Sequence, residues 1–394
     1  METIEATFKV VTPMFISGAD QDKAELRLPS IKGALRFWWR ALAWDRFGDL
    51  KTIREEEAKL FGSTDTGQAA VLMSLSNFAT DPLKKGEVLH DGKHVVGAGA
   101  RYFGYGVMDT FDGKNSVAGR LTRPCLSPPF KFTLRLCFRP RHLLDQQKDS
   151  VLQAIKAVGL FGNLGSKSRK GYGSIILESL QIDEQDAGWA VPKNADEYVS
   201  LLSKLNLPSF DRESTEKLPE YTAFTSRTRI LILQDDTEKS SLNLLHRIGR
   251  DLVFFRSWGR KGEVMGQNSE KNFKPDHDLM KNLSSKVTYP ERVVFGLPHN
   301  YGKPERLHVK PQNYDRRASP LFIHIHQADG STPIVNLSFL PAQFLPENEK
   351  LHVLGRPVEL SPNNLWKPIH DFLDRLLDSN QGKEQFANAM EVTP

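Results

Sequence analysis

The stretch GNLGSKSRKGYG, Gly162 to Gly173, sets four glycines and three cations between a predicted helix and a predicted strand. Glycine permits a positive φ and lets a ligand approach the main chain closely. The residues between the glycines supply donors and charge suited to phosphate, through Ser166, Lys167, Ser168, Arg169 and Lys170. We therefore interpret the stretch as a backbone cradle for a polyanion. The alternative is a solvated connector whose glycines only relieve strain.

Two nucleotide-binding loops do not fit this stretch. A Walker A loop needs Gly-Lys-Ser/Thr in sequence between a strand and a helix, but here Gly165 is followed by Ser166 and the order is helix to strand. The GxGxxG dinucleotide fingerprint is also absent from the stretch. We therefore expect no nucleotide cofactor.

The first half of the chain has the predicted order βαββαβ around this loop. Alternating and helical periodicities indicate strands at Ile4–Thr12, Ala69–Phe78, Phe130–Phe138 and Ser174–Ile182, and helices at Ser30–Phe47 and Gln146–Leu160. This order is typical of a ferredoxin-like (RRM-like) domain. Residues 80–129 are a long Gly- and Pro-rich insertion, and its length favours a functional or ordered excursion.

The second half repeats the same opening order. Predicted strands lie at Arg229–Leu233, Arg292–Leu297, Leu321–His326 and Ile334–Leu340, and predicted helices at Leu242–Trp258 and Ile369–Leu377. The expected fold class is therefore α+β, with two tandem ferredoxin-like domains that carry insertions. We expect the first domain at residues 1–185, a connecting segment at 186–219, and the second, more decorated domain at 220–394.

The predicted helix from Ser30 carries a cationic stripe. Lys32, Arg36 and Arg40 follow one another at four-residue spacing, and the apolar residues fall on the other side. Trp39 lies about 20° from Lys32 around the axis, so it is predicted to flank the stripe and to stack on bases. Ser30 is the predicted N-cap. The alternative is a surface helix whose cations are only solvated and whose Trp39 packs under the neighbouring loop.

The composition indicates a basic, intracellular type of chain. The 394 residues are 39% hydrophobic and carry a net charge of +5, all of it within residues 1–185, where 26 Lys and Arg face 21 Asp and Glu. Positive fields attract nucleic acid or acidic surfaces. Cys125 and Cys137 show no zinc spacing, so no structural metal is expected. The N-terminus resembles no secretory signal and no apolar run reaches the roughly 20 residues of a membrane span, so we expect a cytoplasmic protein without a membrane partner.

Three motifs together resemble a known family. SIKGALRFWWRAL from Ser30, EEEAKLFGS from Glu55 and LFGNLGSKSRKGYGSI from Leu160 are similar to the RAMP superfamily of CRISPR effector proteins. Within it they look most like the first-subunit family of the Cmr complex, the type III-B RNA-guided effector. The three motifs span Ser30 to Ile175, and the resemblance is thin beyond Asp183.

This resemblance implies a function and a set of binding residues. Such proteins bind guide RNA, target RNA or their duplex beside other subunits of a cytoplasmic ribonucleoprotein. The helix motif falls on Ser30, Lys32, Gly33 and Arg36, with Trp39 and Arg40 added from the stripe. The loop motif falls on Gly162, Gly165, Ser166, Lys167, Ser168, Arg169, Lys170, Gly171 and Gly173, with Tyr172 between them. Arg316 and Arg317 before a second-half strand are a candidate counterpart that lacks glycines.

A ribonuclease is the enzymatic alternative. It would need a general base and acid beside the 2′-hydroxyl, and His90, His94 and His142 of the first domain lie outside both predicted RNA-facing elements. His324 and His326 share one strand face, a spacing also seen in metal sites, but packed or surface histidines are the favoured explanation. The Asp276-His277-Asp278 and His370-Asp371 runs are weaker metal candidates.

We therefore predict a non-catalytic RNA-binding subunit of a type III-B CRISPR effector, with neither metal nor cofactor. Phosphate contacts would position the strand while base pairing reads it. Secondary candidates for the RNA path lie in two segments: Arg101, Tyr102, Tyr105 and Arg123 in the insertion, and Arg250, Arg256, Arg260 and Lys261 near the second-half helix. A guide-processing or target-cleaving endoribonuclease, and a protein scaffold without RNA contact, remain the alternatives.

Overall fold

A computed structural model gives the fold of the chain. It describes residues 2–76, 80–139, 143–258, 262–281, 288–301, 308–361, 364–378, 381–382 and 384–392. Four residues that carry sequence-based predictions, Phe78, His142, Arg260 and Lys261, lie outside these ranges.

The first half is built on a five-stranded antiparallel sheet. Its elements in chain order are β1 (Thr3–Val10), α1 (Leu28–Phe47), α2 (Leu50–Phe61), β2 (Val71–Leu75), the insertion strands β3 (Pro82–Leu83), β4 (His90–Asp91) and β5 (His94–Val95), α3 (Ala98–Phe103), β6 (Cys125–Leu126), β7 (Phe130–Phe138), α4 (Asp145–Phe161), β8 (Ile175–Ile182) and β9 (Gln185–Asp186). The strand order is β2-β7-β1-β8-β9. Without the insertion and α2, the main elements follow one another as βαββαβ.

Period-2 alternation explains why this sheet has one buried face. In β7 the side chains of Phe130, Phe132, Leu134 and Leu136 are buried, and the residues between them are exposed or half-buried. Phe132 stacks on Phe8 of β1 with ring centroids 5.5 Å apart. Helices α1 and α4 cover this face and supply the rest of a continuous apolar core.

The second half has a four-stranded sheet of the same order. After α5 (Ala195–Ser203) come β10 (Arg229–Gln234), α6 (Ser241–Arg256), β11 (Glu263–Val264), β12 (Gln267–Asn268), α7 (Lys274–Lys281), β13 (His299–Asn300), β14 (His308–Pro311), β15 (Leu321–His326), β16 (Ile334–Phe339), β17 (Leu351–Val353), β18 (Arg356–Val358), α8 (Lys367–Leu377) and β19 (Asn388–Val392). The main sheet runs β15-β16-β10-β19. Its strands and the helices α6 and α8 again follow one another as βαββαβ.

Strand β15 joins the two halves. All six of its residues are buried, because α6 packs on one side and the first half packs on the other. Phe322 contacts Phe37 and Trp38 of α1, with centroids 5.7 Å apart in each pair. On the same face, His324 donates through Nδ1 to the carbonyl oxygen of Gly162 at 3.0 Å. The junction between the halves is therefore a packed interface beside the glycine loop.

The insertion also reaches the second half. Gly99 of α3 faces Gly249 of α6 so closely that a Cβ on Gly99 would lie 2.0 Å from the carbonyl oxygen of His246. The Gly99 amide donates to Nδ1 of His246 at 2.9 Å. Only glycine permits this approach of two backbones, and it fixes the insertion against α6.

Two local predictions are wrong. Residues Glu291–Phe295 form a short 3-10 helix instead of a strand, since Pro290 leads into a turn whose apolar side chains are buried together. Ser30 is not the N-cap of α1. The helix begins at Leu28 after Arg27, and Pro29 lies in its first turn, where a missing N–H is tolerated.

Candidate nucleic-acid interface

The cationic stripe of α1 faces α2. Lys32 donates through Nζ to the carbonyl oxygen of Phe61 at 2.7 Å. Arg36 and Arg40 both bond to Oε1 of Glu57, at 2.7 Å and 2.5 Å. Glu57 is only 6% exposed, and its burial is compensated by these two guanidinium groups. The three predicted cations are thus partners of α2, and Arg36 and Arg40 together share one carboxylate.

The predicted exposure of Trp39 is wrong. Trp39 is 3% exposed and its indole N–H donates to Ser150 Oγ of α4 at 2.9 Å. Its angle around the helix axis predicts a place beside the stripe, but α2 and α4 both pack against α1 and enclose that side of the helix. A buried indole with a satisfied N–H is a core residue.

The glycine loop is fixed by packing on its neighbours. Gly165, Gly171 and Gly173 have φ values of +86°, +79° and +67°, and a Cβ on each would meet another atom at 2.5, 2.5 and 2.0 Å. The amides of Ser166 and Gly173 donate to the carbonyl oxygens of Phe15 and Pro13. These glycines allow the loop to lie against other polypeptide, and the two amides are already bonded within the protein.

Tyr172 is also inside the protein. Its side chain has no exposed surface, and its hydroxyl donates to the carbonyl oxygen of Ala100 in α3 at 2.9 Å. Burial raises the pKa of the Tyr172 hydroxyl. Tyr172 is predicted from the sequence to contact RNA, but its buried side chain instead holds the insertion to the loop.

The loop cations occupy three environments. Arg169 donates through Nη1 to the carbonyl oxygen of Ser319 at 2.6 Å and stacks over Phe322, with Cζ 4.5 Å from the ring centroid. The Nζ atom of Lys170 is buried without a hydrogen-bond partner in the described residues. Burial, then repulsion by Arg256 and the adjacent loop cations, lowers its pKa to about 7. Lys167 is half-buried and has a φ of +65°.

Cations from other segments surround the loop. Arg123 of the insertion and Arg316 of the second half are exposed, and both repel the Lys167 ammonium, whose pKa is lowered first by burial and then by these charges. Arg317 stacks over Phe344 at 4.6 Å and donates to the carbonyl oxygen of that residue. Burial and repulsion by Arg169 lower the pKa of Arg317 to about 9.

These cations have no carboxylate partner among the described residues. We call the set the junction cluster: Arg123, Lys167, Arg169, Lys170, Arg256, Arg316 and Arg317. No member forms a salt bridge within the described ranges, although such bridges link Arg36 to Glu57 in the first half and Arg375 to Asp251 in the second. Four separate segments thus bring unneutralised positive charge to one place, and such a field attracts a polyanion.

Two exposed aromatics accompany the junction cluster. Tyr105 is 71% exposed and stands in the turn next to Gly106, where a Cβ would be 3.9 Å from Lys167 Nζ. Tyr314 is 54% exposed and precedes Arg316 by two residues. From the sequence, Tyr105 was only a secondary candidate and Tyr314 was missed; the pair Tyr-x-Arg before a strand was the available signal.

A cleft opens between α1 and the glycine loop. It has a volume of about 280 Å³, and rings of Phe37, Trp38, Phe161 and Phe322 line it. Ser30, Ala34, Gly165, Ser168 and Arg169 complete the wall. Ser30 and Ala34 lie about half a turn around α1 from Lys32 and Arg36. The glycine loop and the cationic stripe therefore do not share one groove, since α1 turns a different face to each.

The histidine pairs are structural in this arrangement. His324 and His326 are each 1% exposed, and both donate to backbone carbonyl oxygens, His324 to Gly162 at the glycine loop and His326 to Pro192 in the connecting segment. Asp276 accepts from the amides of Glu291 and Arg292, and His277 stacks on Trp258. Among the described residues, no three His, Cys, Asp or Glu side chains are grouped as metal ligands would be.

Comparison with known proteins finds a family match. Residues 7–176, which include α1 and the glycine loop and make up less than half of the chain, match the RAMP superfamily model. This part of the chain is similar to the RAMP superfamily. The resemblance seen in the three sequence motifs is confirmed by this match.

The chain is also similar to curated and solved proteins. It is 26% identical over 341 residues to CRISPR system Cmr subunit Cmr1-1 of Pyrococcus furiosus, a match that covers 84% of this chain and 85% of the relative. The apo crystal structure of Cmr1 from Pyrococcus furiosus has a TM-score of 0.57 and 18% identity, with coverage of 100% and 99%. A chain of the type III-B Cmr-beta complex bound to cognate target RNA and AMPPnP has a TM-score of 0.51 and 12% identity, with coverage of 94% and 98%. The two solved structures establish a common fold.

The described part of the chain offers no membrane span. None of its helices combines the length and the apolar composition that crossing a bilayer requires.

Proposed function

We propose that this protein is a non-catalytic RNA-binding subunit of a type III-B CRISPR effector complex. The observation that carries the proposal is the junction cluster, whose cations come from four segments and have no carboxylate partner in the described structure. Guide RNA, target RNA or both would be bound through the phosphate backbone, together with other subunits of a Cmr ribonucleoprotein. The similarity to a curated Cmr subunit supports this choice of complex.

Phosphate contact is assigned first to the accessible members of the junction cluster. Three of them are accessible at the surface: Lys167, Arg123 and Arg316. The more buried Arg169 and Arg317 add to the positive potential at the same place. Tyr105 and Tyr314 offer rings beside them on which bases can stack. Lys32, Arg36 and Arg40 stay predicted RNA contacts on the face that α1 turns to α2. Gly33 of the same helix stays one as well, and Ser30 stays one in the cleft beside the glycine loop.

A non-catalytic role is supported by the positions of the histidines. His324 and His326 are enclosed between the halves, with pKa values lowered by burial to about 3 and about 4. A general base needs access to the 2′-hydroxyl, and these imidazoles have none.

We also infer two tandem ferredoxin-like domains, supported by the equal order of strands and helices in the two main sheets. The proposed boundaries stay at residues 1–185, 186–219 and 220–394. A cytoplasmic location is inferred with the complex.

The test is a titration of single-stranded RNA at several salt concentrations. Replacement of Arg123, Lys167 and Arg316 by Ala should weaken binding and flatten the plot of log K against log salt by about 2, because each lost phosphate contact on a single strand contributes about 0.7. Fluorescence anisotropy of a labelled RNA measures both quantities.

The matched control removes three exposed cations elsewhere. Lys51, Arg54 and Lys204 are exposed and lie on α2 and just after α5, away from the glycine loop. Their replacement by Ala lowers the net charge by the same amount. It should leave the slope of log K against log salt close to that of the native chain. If the two triple variants have the same affinity and the same salt slope, the junction cluster is not the RNA site.

A further inference from the structure

The cleft between α1 and the glycine loop has the features of a ligand site. Four aromatic rings line it, of which Phe37 is half-buried and the other three are buried. One arginine, two serines and Asn163 are the polar part of its wall. Trp38 stacks on Phe161 at 5.3 Å, and Phe37 meets Phe322 at 5.7 Å, so the rings are held rigidly by their own contacts. A volume of about 280 Å³ lies just under the roughly 300–1,000 Å³ of drug-sized pockets. The cleft therefore suits one small planar group.

Arg169 gives the cleft a charge that is not neutralised. The guanidinium contacts Phe322 and Phe37 with its face, and its hydrogen bond within the described structure goes from Nη1 to the Ser319 carbonyl. Ser30 and Ser168 have no side-chain hydrogen bond among the described residues. A ligand in the cleft would thus meet N–H and O–H groups as well as rings.

The cleft is continuous with the junction cluster. Ser168 and Arg169 directly follow Lys167, and Cα atoms two residues apart are within about 7.6 Å of one another. An RNA strand whose phosphate contacts Lys167 would therefore lie close to this cleft, whose wall includes the exposed Gly165. The cleft combines an aromatic ring with hydrogen-bond donors and lies beside a positively charged surface. Proteins bind unpaired bases with this combination of groups.

We propose that this cleft is a nucleobase subsite, which receives one unstacked base of the RNA bound at the junction cluster. The inference rests on the proposed function and deepens it. The base packs against Phe37, the half-buried ring of the cleft, and the hydroxyls of Ser30 and Ser168 with Arg169 bond to its edge. Because every base has an apolar face, the subsite tolerates any sequence.

The test compares two RNA hexamers on the full-length chain. One is oligouridine and the other is an abasic hexamer with the same phosphates. Base stacking is worth about 1–3 kcal/mol, so the protein should prefer oligouridine by about 5- to 150-fold. Ala34→Leu places a larger side chain in the cleft and should abolish most of this preference while it leaves the salt slope unchanged.

Two further variants control the interpretation. Ala190→Leu makes the same change at an exposed site and should keep the preference. Phe37→Ala, at a half-buried ring, should lower the preference without filling the cleft. A thermal melt of each variant establishes that it is folded.

The outcomes separate the two proposals. If Ala34→Leu and Phe37→Ala keep the preference for oligouridine while the Arg123, Lys167 and Arg316 triple variant still loses affinity, the nucleobase subsite is wrong and RNA binding stands. The subsite is also wrong if Ala34→Leu weakens only the binding of another protein subunit and leaves the binding of both hexamers unchanged. If the triple variant binds like its control, the proposed function itself is wrong.

Discussion

One residue of the glycine loop, Lys170, has a charged group in an unfavourable, buried environment. Lys170 places an ammonium group among other cations, with Nζ fully buried and unpartnered in the described structure. Its charged form is disfavoured by burial first and by the Arg256 charge second. Composition and spacing could predict the charge of this residue but not its burial, because α3, α6 and β15 close over it only in the tertiary fold.

The pH dependence of stability should reveal this lysine. A free lysine has a pKa near 10.4, so the unfolded chain binds one more proton than the folded chain between pH 7 and about 10.4. The folded state therefore gains stability as the pH rises through this window. Lys170→Met should be more stable than the native chain by about 4 kcal/mol at pH 7, with a difference that shrinks towards pH 10.

Urea unfolding at pH 7, 8.5 and 10 measures this difference. Lys204→Met, at an exposed lysine, serves as the control and should stay within about 0.5 kcal/mol of the native chain. A constant difference at all three pH values would contradict the buried, unpaired ammonium.

At the scale of elements, the helices and strands were largely predictable and their contacts were not. The alternation of β7 and the apolar face of α6 could be read directly, and the observed elements Phe130–Phe138 and Ser241–Arg256 agree with the predicted ones. The exposure of Trp39 was predicted wrongly because helical periodicity shows which residues share a face, but not how many neighbours enclose the helix. The contact of α3 with α6 through Gly99 and Gly249 left no periodic signal at all.

The crossing of α3 and α6 yields a prediction about the insertion. Gly99→Ala should destabilise the protein by about 1–3 kcal/mol, since the new methyl group would lie 2.0 Å from one backbone oxygen and 2.4 Å from the amide nitrogen of Arg250. The insertion should then detach locally from α6, and hydrogen exchange of residues 98–103 should accelerate.

Gly33→Ala is the matched helical control. A Cβ at Gly33 meets nothing within 4 Å, and alanine is favoured over glycine in a helix by about 1 kcal/mol. This variant should be neutral or more stable. Equal destabilisation by both substitutions would contradict the close contact between the two helices.

At the scale of the whole molecule, the junction between the halves decides the properties of the site. The sequence indicated two halves of equal order and a strand at Leu321–His326, and both are present. It could not show that β15 is covered on both faces, nor that Arg123, Lys167 and Arg316 from three segments meet beside it. Those residues are far apart in the chain, so only the packed fold brings them together.

The buried histidines at this junction, His324 and His326, should make the stability of the fold depend on pH in the acid range. His324 and His326 donate with one ring nitrogen to backbone carbonyls, and the other nitrogen of each is buried without a partner in the described structure. Protonation of that nitrogen has no compensation, so burial lowers the two pKa values to about 3 and about 4. The unfolded chain takes up these protons near pH 6.5. Their neutral packing therefore stabilises the fold fully above pH 6.5, and stability falls as the pH drops from there towards 4.

Each histidine should contribute a loss of about 1.4 kcal/mol per pH unit within this window. The double variant His324→Gln/His326→Gln can keep both bonds to the carbonyls without a titratable group, so its stability should fall less steeply between pH 6 and pH 4.5. Urea unfolding across this range measures both slopes, and the remaining slope of the variant includes His370, whose pKa burial lowers to about 4. Parallel curves for the variant and the native chain would mean that water reaches the two imidazoles, and the two halves would then not be sealed together at β15.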